Sequence, residues 1–334
     1  MSTPRGDGLA MPAEWAPHAA TYMAWPTRLD LWGDLFEDAK LDYAEVANAI
    51  AAFEPVVMVA NPEQVEEARA YLAGDVEILP IPIDDSWIRD NGPIFVTDGN
   101  GGVALVHFRF NSWGEKYLPY DRDAEVPKRL AAHLGMRSYE APMVLEGGSF
   151  FVDGEGTLLT TEQCLLHPNR NPGMDREQIE QTLRDYLGID SVVWLGKGHH
   201  LDRDTDGHVD AIAQYVRPGV VLLHVPADPQ DPDHESGRDN LERLRAARDA
   251  RGRAFEVLEF EPGASVAAGL NLYLCNGGAI VPTDGADSDD PVLEQIQAAF
   301  PEREIVPVPG ETLLEGGGGP HCITQQLPVG VPIA

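Results

Sequence analysis

One cysteine stands where chemistry could use it. Cys322, in "GGGGPHCITQQ", follows the glycine run 316–319, and such a run marks backbone with unusual φ/ψ or close approach to a ligand. Cys275, in "NLYLCNGG", reads as a packed core thiol, and Cys164, in "TTEQCLLHP", as a structural residue ending a strand. His208 and Asp210, in "LDRDTDGHVDAIA", are two apart, so on a strand they face one pocket together. That segment also begins like an EF-hand loop, with Asp202, Asp204 and Asp206 at the odd positions and Gly207 at the sixth. Position 12 is Ala213, where calcium needs a bidentate Glu, so the calcium reading fails. His199, His200 and His208 match no common zinc spacing, and no metal site is assigned. Asp90 in "WIRDNGP" and Glu146 in "LEGGS" complete the set.

One thiol, one imidazole and several carboxylates suit a particular electrophile. A protease oxyanion hole stabilises a carbonyl oxygen that turns negative and would not be ringed by acids. A planar guanidinium would: its fixed fork of N–H donors pairs with carboxylates, and two aspartates can hold its carbon before a thiolate.

Elements able to bring these residues together recur along the chain. Helical apolar spacing marks 34–53, 61–73, 123–135, 175–188, 237–252 and 289–300. The last five each lead into a short apolar strand ("VEILPIP", "RSYEAPM", "SVVWLG", "FEVLEF", "REIVPVP") and then into a polar or glycine-rich motif. Three motifs run into hairpins with DG/NG, DGEG and RPG turns. The units repeat at roughly 50–65 residues. The expected fold is α/β: a five-bladed, pseudo-symmetric α/β propeller of repeated ββαβ units, forming a single catalytic domain over 1–334 with 1–10 flexible. A closed ring would converge the motifs on one pocket. The hairpins argue against the alternative, a doubly wound sheet.

Composition narrows the partners. Lys+Arg is 24 against Asp+Glu 55, a formal charge of −31. Such a surface repels nucleic acid and anionic membranes; it acts as a solvated coat or steers cationic ligands. Three cysteines without a CxxC fit a reducing compartment, and no long apolar run or leader is evident, so a cytoplasmic, unsecreted protein is expected. A homo-oligomer is allowed.

Taken in order, "MPAEWAPHAATYMAWP", "DDSWIRDNGP", "RFNSWGEKY", "LEGGS", "LLTTEQCLLHPNRNPG", "DTDGHVD" and "GGGGPHCITQQLP" resemble the agmatine deiminases, which are related to bacterial peptidylarginine deiminases. The resemblance runs from about residue 11 to the C-terminus and implies the five-bladed fold. It implies Cys322 as nucleophile, His208 as general acid/base, Asp90 and Asp210 as guanidinium clamps, and Glu146 against the histidine or a substrate nitrogen. The implied substrate is agmatine and the implied products are N-carbamoylputrescine and ammonia, with no cofactor. Trp87, Asp204 and Trp113 are candidate substrate contacts; Trp87 and Trp113 also read as packing, and Asp204 as a turn cap. His199, His200 and His321 read as surface or satisfied histidines, Arg109 and Asn111 as structural, and Asp84 and Asp85 as loop charge. Pro320, Glu115, His167, Ala211 and Gln214 depart from the family's usual residues; none touches the implied chemistry directly, and Pro320 and Glu115 bear on the shape of the pocket mouth, and so on the substrate rather than on the reaction type. The alternatives are deimination of free or peptidyl arginine, an amidinotransferase on the same fold, and a non-enzymatic binder of cations.

Overall fold

Helix 175–188 shows why the local patterns hold. In the computed structural model, which describes residues 2–261 and 269–334, it spans Arg176–Leu187. The Asp175 carboxylate accepts from the Gln178 N–H and the Gln178 side chain accepts from the Asp175 N–H, so two otherwise orphaned donors are satisfied. Ile179, Leu183 and Leu187 are buried on one face, each worth about 1.5–3 kcal/mol relative to exposure. Gly188, at φ 70°, ends the helix in the left-handed conformation that favours glycine.

Among the described residues the strands form five small, open, mixed sheets. Four share one plan: an antiparallel hairpin, a helix, then a third strand parallel to the hairpin's second. The hairpins are Ile94–Thr97 with Gly102–Arg109, Phe150–Val152 with Thr157–Thr161, Ala213–Arg217 with Val220–His224, and Tyr273–Cys275 with Gly278–Thr283. Their parallel partners are Ser138–Val144, Ser191–Leu195, Glu256–Phe260 and Glu304–Pro309. The fifth sheet joins distant segments: His18–Ala24 pairs antiparallel with Thr324–Pro328 and parallel with Val56–Ala60, after the helix Phe36–Ala51.

Three expectations need correction. The 61–73 helix and the strand Glu77–Pro80 are not a unit of their own. They extend the fifth sheet beside Val56–Ala60, whose all-buried "VVMVA" lacks the alternation that signals a strand. The helix expected at 237–252 runs instead over His234–Ala246. Residues 2–10 are tied down, not loose: Arg5 pairs with Asp190 at 2.7 Å, Leu9 is buried, and Ala10 bridges to Thr97. No helix among the described residues is long and apolar enough to cross a membrane.

Candidate active site

The loops at the ends of the sheets deliver the expected residues to one place. Asp90 lies on a short helix, Ile88–Asn91, and Glu146 just precedes the 3-10 turn Gly147–Ser149. These two segments touch so closely that a Cβ on Gly147 would lie 2.2 Å from the Arg89 carbonyl oxygen. His208 and Asp210 do converge, but not by strand alternation. The 3-10 turn Val209–Ala211 intervenes, and the strand begins only at Ala213. What sets this turn is Asp202, the first pseudo-calcium ligand, whose carboxylate accepts from the N–H groups of Thr205, Gly207 and His208 at 2.7–3.0 Å.

The centre of the site is Gly148. A Cβ there would lie 2.6 Å from His208 Nδ1, 2.8 Å from Asp210 Oδ2 and 3.1 Å from Asp90 Oδ1. Three reactive side chains thus face the one residue that has no side chain. The glycine run behaves similarly: a Cβ on Gly318 would meet Trp87 at 2.6 Å and Cys322 Sγ at 3.0 Å, and Gly317 holds φ 100°. Cys322 Sγ lies 3.5 Å from Asp210 Oδ2 and accepts from Asn271 Nδ2 at 3.1 Å.

Charge is arranged around this space in pairs. Asp90 accepts from the Gly148 N–H at 2.9 Å and from the Trp113 indole N–H at 3.0 Å. Burial pushes its carboxyl up, and Asp210 and Glu146 add to this, against His208. His208 sits 3.9 Å from both Asp90 and Glu146, and neither ring nitrogen has a hydrogen-bond partner among the described residues. Burial would lower its pKa, but the acids around it, Asp90 foremost, hold it well above the usual histidine range. Burial pushes the Cys322 thiol well up, and Asp210 and Asp90 push it further.

Several members carried no signal in the sequence reading. His321, read as a surface or satisfied histidine, is buried between two carboxylates, with Nδ1 2.8 Å from Asp210 and Nε2 2.9 Å from Glu14. Burial and Arg89 work against its protonation, and Glu14 and Asp210 overcome them. Arg170 bonds Glu146 at 2.6 Å and Asp206 at 2.7 Å, both partners lying on other loops. Cys164, expected at a strand end, is in the helix Glu162–Leu165. Its thiol, Glu146 and His208 present ligand-type atoms within 4.8 Å of one another. The clue to these residues was adjacency: His321 precedes Cys322, and Arg170 ends "HPNR" in a quoted motif.

The candidate contacts divide. Trp113 is buried and reaches the site through Asp90, not at a mouth. It rides on a left-handed run in which Ser112, Trp113 and Glu115 have φ of 52°, 55° and 62°; such conformations cost roughly 1–2 kcal/mol each for non-glycine residues. Asn111, with Gly114 N–H on its Oδ1 and its Nδ2 on the Asn169 carbonyl, braces the run. Trp87 stacks on Trp32 at 5.8 Å and also lines a small chamber with Asp90, Trp113 and Cys322. Asp204 lines both that chamber and the larger adjoining cavity, which His208, Asp210 and Cys322 also line. Among the described residues it caps no turn; its carboxylate accepts from Tyr117 OH at 2.5 Å. Arg109 is exposed, while Asp85 is buried beside Arg28 and away from the site.

Arg170 and Glu146 are each about 1% exposed. Arg170→Met is expected to strand a buried carboxylate and lower stability by about 3–5 kcal/mol in urea unfolding; a loss under 1 kcal/mol would refute that account.

Comparison with known proteins decides the lineage. Residues 10–328 match the family model of the Porphyromonas-type peptidyl-arginine deiminases. An agmatine deiminase of Stutzerimonas stutzeri is 43% identical, with 98% of this chain and 97% of that protein covered. The chain belongs to the agmatine deiminase family. A solved member from Enterococcus faecalis, described as catalysing its reaction, superposes with a TM-score of 0.95 at 36% identity over 99% of both chains. A Cys-to-Ser variant of the C. jejuni agmatine deiminase, with substrate bound, gives 0.87 at 25% identity over 97% of both. Members of this family are guanidine-modifying hydrolases of C–N bonds, the class the carboxylate-ringed thiol suggested.

Proposed function

We propose that this chain hydrolyses agmatine to N-carbamoylputrescine and ammonia through a covalent adduct on Cys322. The observation that carries the reading is the space at Gly148, walled by Asp90, His208 and Asp210 and adjoining the Cys322 thiol. It is shaped for a flat cation that pairs with carboxylates on its edges and meets sulfur on its face.

In the empty site the thiol keeps its proton. A guanidinium clamped by Asp90 and Asp210 places a positive charge beside Sγ, which favours the thiolate and releases the thiol proton to solvent. The thiolate forms an S–C bond to the guanidinium carbon. The C–N bond then breaks, and the leaving nitrogen takes a proton from His208, which Asp90 and Glu146 hold protonated for that step. His208, now neutral, accepts a proton from water as the oxygen attacks the amidino carbon. Sulfur departs and takes the proton of the new hydroxyl, which restores the thiol and leaves the ureido product. Arg170 keeps Glu146 ionised, and His321 keeps Asp210 oriented.

Trp87 and Trp113 wall the chamber through which the methylene chain would pass, and Asp204, where it adjoins the larger cavity, suits the distal ammonium. A substrate α-carboxylate would meet Asp204 there, which disfavours free arginine. The five sheets would stand as blades around the site, within a single catalytic domain. The three free, buried cysteines suit a reducing cytoplasm.

The test is incubation with agmatine and with arginine, reading ammonia and ureido product. Agmatine should give the higher kcat/KM; no product from agmatine would sink the reading. The pH behaviour adds a check. Alkylation of Cys322, followed by peptide mass mapping, should have its midpoint above the ordinary thiol value of about 8.5. Asp210→Asn removes a negative neighbour and should move the midpoint down; an upward move would contradict the assigned cause.

A further inference from the structure

Beside the mouth of the cavity, and apart from Cys322 and His208, three ligand-type side chains meet that the proposed reaction does not use. We infer that His199, His224 and Asp233 form a binding site for a divalent transition metal of the zinc class. The sequence pattern hid the set. His199 follows the strand Ser191–Leu195, His224 ends the strand Val220–His224, and Asp233 immediately precedes the helix His234–Ala246.

Geometry supports it first. One ligand-type atom from each of His199, His224 and Asp233 lies within 4.8 Å of the other two. Asp233 Oδ2 is 3.3 Å from His199 Nε2 and 3.8 Å from His224 Nε2. Tetrahedral zinc, with ligands at about 2.0–2.1 Å, needs its ligand atoms roughly 3.3 Å apart. A small inward shift closes the set.

A second, independent observation points to a ligand. His224 is 6% exposed, and its Nε2 is buried without a hydrogen-bond partner among the described residues. Buried polar atoms are rarely left so.

The carboxylate is already oriented. His200 donates its backbone N–H to Asp233 Oδ1 at 2.9 Å and sets its ring Nδ1 2.6 Å from Oδ2. Such outer partners fix a ligand's direction and raise its affinity. His199 is only half-buried, which leaves the fourth position open to solvent. Two imidazoles and a carboxylate suit zinc, cobalt, nickel or copper, whereas calcium and magnesium prefer oxygen throughout.

Uptake would also reach the cavity. His199 Nδ1 accepts from the Leu201 N–H at 3.2 Å, which leaves the ring proton on Nε2, facing Asp233. A metal on Nε2 shifts that proton to Nδ1 and releases the contact, just before Asp202, Arg203 and Asp204, which line the cavity.

The test uses the full chain, without a histidine tag and stripped by chelator. Co²⁺ titration and equilibrium dialysis against Zn²⁺ give stoichiometry independently of the reaction proposed above. One equivalent should bind, with the visible d–d bands of low-coordinate Co²⁺ and no thiolate-to-cobalt charge transfer. His224→Gln should bind at least tenfold more weakly while keeping the parent's circular dichroism. Asp233→Asn, which preserves shape, gives the same readout if His224→Gln misfolds. Absence of stoichiometric metal, a sulfur charge-transfer band, or parent-like binding by the folded variants would overturn the assignment.

Discussion

Cys322→Ala is expected to abolish turnover of agmatine, lowering kcat by at least about 10⁴-fold, because loss of a covalent nucleophile leaves only binding and electrostatics. The fold should survive, since a small buried residue replaces a thiol whose side-chain neighbours are Asn271 and Asp210. The parent, quenched during turnover, should show by mass spectrometry an amidino group on the peptide that contains Cys322. The two measurements check different links. Activity retained in Cys322→Ala would remove the nucleophile. Turnover with no adduct on Cys322 under any quench would leave a cysteine-dependent reaction without the covalent step.

Gly148→Ala probes where the guanidinium sits, and does so with one methyl group. That group would occupy the space 2.6–3.1 Å from His208, Asp210 and Asp90. If the substrate's flat head fills this space, the variant should lose about 10²–10³-fold in kcat/KM, the scale on which displacement of reacting groups by an ångström is felt. Stability should fall by about 1–3 kcal/mol through overpacking, so chemical denaturation is measured alongside kinetics. A folded variant within threefold of the parent's kcat/KM would place the guanidinium elsewhere. The methyl and the missing thiol therefore fail differently: one blocks the seat, the other removes the attacking atom.

How far the sequence was legible depended on how local each signal was. The helix Arg176–Leu187 announced itself through Asp175, Gln178 and its buried face, all within a few turns. The hairpins were marked by their turn glycines. Cys322, His208, Asp90, Asp210 and Glu146 each stood in a motif whose residue types suggested chemistry. Glu14, Asn271, Arg170 and His321 lay in such segments too, but no role followed from their types there, because what makes them matter is a partner elsewhere along the chain. Glu14 meets His321 across 307 positions, Asp210 meets His321 across 111, and Asn271 meets Cys322 across 51. No periodicity or cap encodes such a pairing. The strand alternation assigned to His208 and Asp210 reached the right partners by the wrong route, since a 3-10 turn pinned by Asp202 also turns both side chains inward.

The pairing of His18–Ala24 with Thr324–Pro328 has a consequence for the order of events in folding. Contacts between segments so distant in sequence are entropically slow to form, and this pairing is the most distant of the sheet pairings described. Cys322 lies two residues before that last strand, and its carbonyl accepts from the Arg89 N–H at 3.2 Å. The sulfur therefore reaches its acids only when the two ends of the fold are joined. Chains whose two ends are still apart carry a thiol without these neighbours, so the capacity for catalysis requires that closure.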